Sequence, residues 1–194
     1  MWFVCAGCQA GQAILIVGDS LSAGFGISRE QSWPALLGKR LATEGFPHAV
    51  VNISISGETT SGGRARLAPA LRQHQPEIVI IALGANDGLR GQPLDQMRRN
   101  LSAMIKQSQA SRARVLLLGI RLPPNYGMDY TRRFQQTYGE LARQHKTALV
   151  PFMFAGFADS RETFQSDGLH PTAAVQPLLL DNVWRALLPL LRKP

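Results

Sequence analysis

Five short runs of apolar residues recur along the chain, and none of them alternates apolar with polar positions. They are rich in leucine and β-branched residues. Continuous apolar runs of this length are typical of parallel strands that are buried on both faces of a sheet. The pattern therefore predicts five strands, with the sequences AILIV (13–17), AVVNI (49–53), EIVIIAL (77–83), RVLLLGI (114–120) and TALVPF (147–152).

Segments with apolar residues at helical spacing lie between these runs and after the last one. The first should begin after Ser32, with Pro34 in its first turn, and end at Gly45. The second is expected to be interrupted by Pro69 and to end before Pro76. The predicted helical segments are 32–46, 62–76, 93–110, 129–146 and 172–191.

This alternation of strands and helices predicts an α/β fold, namely a flavodoxin-like, doubly wound sheet of five parallel strands. No repeat or linker divides the chain, so we expect one domain over residues 13–194 behind an N-terminal segment, 1–12. That segment contains Cys5 and Cys8 without the context of a redox motif or a zinc site. Its apolar start followed by small residues is consistent with the remnant of a secretory signal. We therefore expect a periplasmic or secreted location, with a cytoplasmic location as the alternative.

The charge balance changes this picture little. The 194 residues include 21 Lys and Arg against 13 Asp and Glu, a formal net charge of +8, which can favour anionic partners. The basic residues are scattered and no aromatic residues interleave with them, so a solvated basic surface is the favoured interpretation and nucleic-acid binding is not expected. No run approaches the roughly 20 apolar residues of a membrane span, so stable membrane insertion is not expected either. The oligomeric state is left open.

The chemistry is sought at one edge of the predicted sheet, because ligands of such folds bind beyond the carboxyl ends of the strands. The first strand ends there in Gly-Asp-Ser, and the hydroxyl of Ser20 needs a base to act as a nucleophile. Three histidines are expected to be surface residues: His48 and His74 precede strands at the opposite edge, and His145 ends a helix. His170 follows the fifth strand and is the one histidine placed at the edge of Ser20.

Asp167 precedes His170 by three residues, so its carboxylate can accept a hydrogen bond from Nδ1 and leave Nε2 facing the serine. The alternative for Asp167 is an Asx turn that caps the last helix, and the alternative for Ser20 is a helix cap. A strand-end serine and this histidine at one edge favour catalysis.

Donors for a developing oxyanion are the next requirement. The candidates are the backbone N–H of Ser20, the N–H of Gly57 in SISGETT and the side-chain amide of Asn86 in GAND. A tight turn is the alternative for Gly57, and a cap on the following segment is the alternative for Asn86. No G-x-S-x-G pentapeptide occurs, which argues against the common α/β-hydrolase arrangement.

GDSLS, Gly57, GAND and DGLH, in this order, resemble the four blocks of the SGNH (GDSL) hydrolase family. GANDGLRG, LPPNYG and DGLHP are similar to the bacterial thioesterase I/protease I/lysophospholipase L1 (arylesterase) subgroup. The resemblance implies a three-layer fold with Ser20 as nucleophile, His170 as base, Asp167 orienting it, and an oxyanion hole made by Ser20, Gly57 and Asn86. It also implies hydrolysis of carboxylic esters and thioesters without a metal or cofactor. Ala85 departs from the pattern, since many relatives have glycine there, and we expect it to narrow the floor of the hole.

Long loops at the same edge carry apolar side chains that suit an acyl chain. An acyl groove and ordinary core packing both remain open for them, and the candidates for substrate contact are Leu122, Tyr126, Phe152 and Phe154, with Tyr130, Met153 and Phe157 nearby. Arg90 or Arg121 can meet an anionic head group, with a solvated role as the alternative. We therefore expect a small-molecule acyl ester or thioester as substrate, such as an aryl ester, an acyl-CoA or a lysophospholipid. The competing hypotheses are a carbohydrate O-acetyl esterase on the same fold and a non-catalytic binding module.

Overall fold

A five-stranded, all-parallel sheet forms the centre of the structure, a computed structural model that describes residues 12–192. Its strands lie in the order β2-β1-β3-β4-β5, which confirms the predicted flavodoxin-like α/β class. The predicted N-terminal segment 1–12, with Cys5, Cys8 and the signal remnant, lies outside the described residues except for Gln12. The strands are β1 (Ala13–Gly18), β2 (Ala49–Asn52), β3 (Ile78–Ala82), β4 (Arg114–Leu118) and β5 (Ala148–Val150).

Seven α-helices connect and flank these strands within residues 12–192. The second and the last helix pack against each other, and the third, fifth and sixth pack in series, which gives the two helical layers. None of the seven is both long enough and apolar enough to cross a membrane. The helices are α1 (Ser20–Ala23), α2 (Trp33–Thr43), α3 (Thr60–His74), α4 (Ala85–Leu89), α5 (Leu94–Ala110), α6 (Met128–His145) and α7 (Gln176–Leu191).

The core lies on both faces of the three inner strands, and β3 is buried along its whole length. In β1 and β3, Leu15 pairs with Val79 and Ile16 with Ile80, and all four side chains are fully buried. The prediction that all five strands are buried on both faces is wrong for β2 and β5, which are partly exposed. They are the edges of the sheet, so each has a neighbouring strand on one side only.

The starts of the third and the last helix differ from the prediction by more than one residue. Helix α3 begins at Thr60, where the Thr59 side chain accepts from the Gly62 N–H, and it continues through Pro69 without interruption. Pro69 removes one backbone hydrogen bond, but burial of the side chains around it keeps the helix on the sheet. The last helix begins at Gln176 because Thr172 is extended and a 3₁₀ turn precedes the helix.

Candidate active site

The turn from β1 into α1 holds Ser20 at the carboxyl edge of the sheet. Strand β1 ends at Gly18, and Asp19 caps the four-residue α1 by accepting from the Leu21 N–H at 3.0 Å. Ser20 is the first residue of that helix, and Gly24, with φ 79°, ends it. The predicted nucleophile therefore stands on a sharp strand-to-helix turn rather than serving as the cap itself.

Ser20, His170 and Asp167 form a continuous chain of hydrogen bonds. Ser20 Oγ lies 2.7 Å from His170 Nε2, and His170 Nδ1 lies 2.6 Å from Asp167 Oδ2. With Nδ1 donating to the carboxylate, Nε2 is the acceptor that faces the serine hydroxyl. The structure thus brings the three predicted residues together across a separation of 150 positions in the chain.

Asp167 both closes an Asx turn and contacts the histidine ring, although this turn does not cap the last helix, which begins at Gln176. Its Oδ1 accepts from the backbone N–H groups of Leu169 at 2.8 Å and His170 at 3.0 Å, which is an Asx turn, while Oδ2 accepts from the imidazole. Partial burial pushes the pKa of Asp167 upward, but these hydrogen bonds outweigh it and lower the pKa to about 2. Asp167 is therefore a carboxylate at any pH at which the protein is expected to work.

The segment that carries Asp167 and His170 is braced by groups that the sequence pattern did not single out. Arg161 donates to three successive backbone carbonyls, those of residues 164–166. Gln165 donates from Nε2 to the Phe25 carbonyl at 2.7 Å, which ties this segment to the loop after α1. The Phe25 ring also lies against the imidazole, with the ring centroids 4.5 Å apart. An aromatic residue shortly after GDS is the only sequence signal for this contact.

The three candidate oxyanion donors line one cavity together with His170. Gly57 has φ 78°, a left-handed conformation that glycine adopts without strain. The Asn86 side chain donates to the Glu58 carbonyl at 3.0 Å, and its amide has a second N–H for an oxyanion. Ala85 lines the same cavity beside Asn86.

That cavity has a volume of about 650 Å³ and a mainly apolar wall. Three of the four predicted substrate contacts, Leu122, Phe152 and Phe154, line it. Tyr126, the fourth, lies in the 3₁₀ turn that leads into α6 and does not line this cavity, so a substrate contact there stays a prediction. Further apolar wall residues, which the sequence pattern did not indicate, are Leu21, Phe25, Leu89, Ile120, Phe164 and Leu169.

The neighbouring candidates have other roles. Met153 and Phe157 are buried in the core, and the Tyr130 hydroxyl donates to the Gln92 carbonyl. Arg90 donates to the Gly57 carbonyl at 2.9 Å, so it supports the loop that carries a candidate donor. Arg121 does line the cavity, with its guanidinium 4.4 Å from the centre of the Phe152 ring.

A buried polar network beneath the cavity was also not predicted. Asp87, next to Asn86, accepts from the Thr60 backbone N–H at 2.9 Å and from the Thr60 hydroxyl at 2.5 Å, and Asn100 donates to the same hydroxyl. Burial, helped by the charges of Asp87 and Glu58, raises the pKa of Asp19 to about 7. Oδ2 of Asp19 has no hydrogen-bond partner among residues 12–192.

The other three histidines lie away from this cavity. His48 is not the surface residue that the sequence suggested, because its side chain is only 5% exposed and contacts Glu77 at 3.1 Å. The ring of His145 lies 2.8 Å from the Ser102 hydroxyl, and His74 is half-buried at the end of α3. In the described part of the chain, no group of three or more His, Cys, Asp or Glu side chains is placed to hold a metal ion.

A hydrogen-bonded serine, histidine and aspartate at the carboxyl edge of a parallel sheet, facing an apolar cavity, defines the serine hydrolase class. The chain belongs to the GDSL-like lipase/acylhydrolase family, whose model matches residues 16–176. This confirms the resemblance found in the sequence, and the chain is a carboxylic ester hydrolase of the GDSL type.

Two curated proteins and one solved structure place it more closely within the family. The chain is 52% identical to esterase TesA of Pseudomonas aeruginosa, with 94% of this chain and 90% of TesA covered. It is 41% identical to thioesterase 1/protease 1/lysophospholipase L1 of Escherichia coli, with 93% and 86% covered. A crystal structure of TesA superimposes with a TM-score of 0.90 at 52% identity and covers 92% of this chain and 99% of that one.

Proposed function

We propose that the protein hydrolyses carboxylic esters and thioesters through an acyl-enzyme formed on Ser20. The observation that carries the proposal is the chain of hydrogen bonds from Ser20 through His170 to Asp167 at the wall of an apolar cavity. The volume of this cavity lies within the range of ordinary small-molecule sites.

In the first half-reaction, Ser20 Oγ attacks the carbonyl carbon and His170 Nε2 takes the hydroxyl proton. The carbonyl oxygen becomes an oxyanion that accepts hydrogen bonds from the N–H groups of Ser20 and Gly57 and from the Asn86 amide. The bond to the leaving group then breaks, and Nε2 gives the proton to the departing alcohol or thiol. The acyl group is left as an ester on Ser20.

In the second half-reaction, water attacks the acyl-enzyme, and Nε2 takes a proton from it. Collapse of the second tetrahedral intermediate releases the carboxylic acid and returns the proton to Ser20 Oγ. Asp167 holds the imidazole in the required tautomer and stabilises the imidazolium in both half-reactions. Its low pKa supports this role, because a carboxylate that stays ionised keeps accepting from Nδ1.

The apolar wall supports acyl chains longer than acetyl as substrates. Leu122, Phe152 and Phe154 offer contact to methylene groups, which a purely acetyl-removing enzyme does not need. Aryl esters, acyl-CoA thioesters and lysophospholipids share this acyl group and differ in the leaving group. The names of the relatives from P. aeruginosa and E. coli, an esterase and a thioesterase/lysophospholipase, fit the same range.

The test is hydrolysis of p-nitrophenyl esters from acetyl to palmitoyl, followed by an acyl-CoA and a lysophospholipid, by the wild type and by Ser20→Ala. We expect turnover that rises beyond acetyl and is lost in the folded Ser20→Ala variant. Activity confined to acetyl esters would instead favour the O-acetyl esterase. A Ser20→Ala variant that keeps its activity would refute the acyl-enzyme on Ser20.

A further inference from the structure

Arg66, on the second turn of α3, connects the loops behind the cavity. Its Nε donates to Glu58 Oε2 at 2.8 Å, and its Nη1 donates to the Ile53 carbonyl at 2.5 Å. A longer contact of 3.5 Å joins Nη2 to the Gly18 carbonyl. The side chains of Arg66 and Glu58 are 24% and 15% exposed, so the pair is largely withdrawn from water.

The groups that Arg66 contacts lead to each of the three oxyanion donors. Gly18 ends β1 two residues before Ser20. Glu58 follows Gly57 in the chain, and its carbonyl accepts the hydrogen bond from the Asn86 amide. One guanidinium thus joins, directly or through Glu58, three loops that follow three different strands.

We infer that Arg66, with Glu58 as its partner, is a positioning residue that sets the relative placement of the oxyanion donors. This inference rests on the proposed function. Oxyanion donors act through preorganisation, so a shift of one loop by a fraction of an ångström lowers the rate of the chemical step. The planar fork of arginine fixes the directions of several N–H groups at once, which the point charge of lysine does not.

A purely stabilising role explains the pair less well. A withdrawn ion pair loses hydration, and replacing such pairs by apolar residues is often neutral or stabilising. The contacts of Arg66 go to the loop ends at the carboxyl edge rather than to the apolar core. The position of Arg66 and Glu58 between these loop ends therefore suits a role in fixing the geometry of the oxyanion donors.

The experiment compares Arg66→Met, Arg66→Lys and Glu58→Gln with the wild type and with Arg72→Met. Arg72 is an exposed arginine in the last turn of the same helix, so Arg72→Met is the matched control. The measurements are kcat and KM for p-nitrophenyl hexanoate, the inhibition constant of an alkyl trifluoromethyl ketone, and Tm. The ketone forms a tetrahedral adduct with serine, so its affinity reports the oxyanion hole, whereas KM is expected to follow binding of the acyl chain.

For Arg66→Met we expect kcat to fall about tenfold to a hundredfold, with KM within about twofold of the wild type. The affinity for the ketone should fall by the same factor as kcat. Arg66→Lys and Glu58→Gln should lie between Arg66→Met and the wild type, and Arg72→Met should match the wild type in every measurement.

Folded Arg66→Met with wild-type kcat and ketone affinity would overturn the inference. So would a loss of activity that follows only the folded fraction, with the ketone affinity of the folded enzyme unchanged. If Arg66→Met does not fold, Arg66→Lys and Glu58→Gln decide by the same criteria. A wild type that is inert on esters, or an active Ser20→Ala, overturns the proposed function and this inference together. An active wild type, an inert Ser20→Ala and unchanged Arg66 variants overturn this inference alone.

Discussion

Two aspartates flank the Ser20–His170 pair from opposite sides and in opposite surroundings. Asp19 precedes the serine, is almost fully buried, and has a pKa raised to about 7 by that burial. Asp167 lies beside the histidine, is 36% exposed at its side chain, and has a pKa lowered to about 2 by its hydrogen bonds. The same chemical group therefore favours its neutral form on one side of the pair and its charged form on the other.

The regions around the two aspartates differ in the same way. The loops of Ser20, Gly57 and Asn86 rest on withdrawn polar groups, among them Arg66 and Asp87. The segment of Asp167 and His170 is held near the surface, by Arg161 and by backbone pairs. Hydrogen bonds that compete with water contribute less than buried ones. We therefore expect the oxyanion side to be the rigid half of the site and the histidine side the adaptable half.

The largest effect should come from the histidine itself, whichever half it belongs to. We expect His170→Ala to lower kcat by at least about 10³-fold, because the serine then lacks its base. The double variant Ser20→Ala/His170→Ala should be no slower than Ser20→Ala, since the two residues act as one unit. Steady-state kinetics checks both statements, with His145→Ala as the control. If the losses of the two single variants add up in the double variant, the two residues act independently and the expectation is wrong.

The next effect concerns the rigid half. We expect Asn86→Ala to lower kcat by about 10²–10³-fold with a small change in KM, because it removes one oxyanion donor. Asn125→Ala, at an exposed asparagine in the 3₁₀ turn before α6, is the control. A large rise in KM with unchanged kcat would assign Asn86 to substrate binding instead.

The two aspartates should give opposite pH dependences of stability. Between about pH 4 and 7 the folded protein keeps a proton on Asp19 that the unfolded chain has lost, so the unfolding free energy falls as the pH rises through this window. Asp19→Asn removes this effect, and its stability relative to the wild type should increase by on the order of 2–4 kcal/mol between pH 4.5 and 8. Urea unfolding at both pH values measures it, and an equal difference at both would show that Asp19 is ionised normally.

Asp167 should give the opposite pH dependence of stability. Its folded pKa lies below the ordinary value, so its contribution to stability is present above about pH 4 and is lost as the pH falls toward 2. The stability difference between the wild type and Asp167→Asn should therefore shrink on acidification over this range. A difference that stays constant from pH 4.5 to 2 would mean that the carboxylate is not stabilised in the folded state.

The smallest effect concerns the brace of the adaptable half. We expect Arg161→Met to lower kcat/KM by only about threefold to tenfold, because the backbone pairs of the segment remain. Amide exchange within residues 163–172 should become faster, while exchange in β1 and β3 is unchanged. Arg143→Met, at an exposed arginine in the last turn of α6, is the control. A loss as large as that of Asn86→Ala would remove the distinction between a rigid and an adaptable half.

The sequence correctly predicted those features that follow from the spacing of apolar residues and from the direction of the strands. The apolar runs predicted the parallel sheet. The direction of its strands predicted that Ser20 and His170 lie at the same edge. The spacing of Asp167 from His170 was informative because three residues suffice to close an Asx turn. These features depend on local spacing or on strand topology, and both can be predicted from a sequence pattern.

What the sequence did not reveal depends on tertiary packing. Tyr126 does not line the cavity, because the path of the chain after β4, which apolarity alone does not predict, places it in a 3₁₀ turn. The sequence did not single out Arg66, since only the arrangement of three distant loops gives it partners. The raised pKa of Asp19 exists only because folding removes water from around it. The exposed edges of β2 and β5 follow from strand order, which single runs do not specify.

The two oxygens of Asp167 link the conformation of the main chain at residues 167–170 to the orientation of the imidazole. One oxygen accepts from two main-chain N–H groups and the other accepts from the ring, so four consecutive residues hold the orienting carboxylate and the base in one mutual orientation. Moving this tetrapeptide to another scaffold would therefore carry the carboxylate–imidazole pair with it, and the new scaffold would have to supply the contacts that Arg161, Gln165 and Phe25 make here.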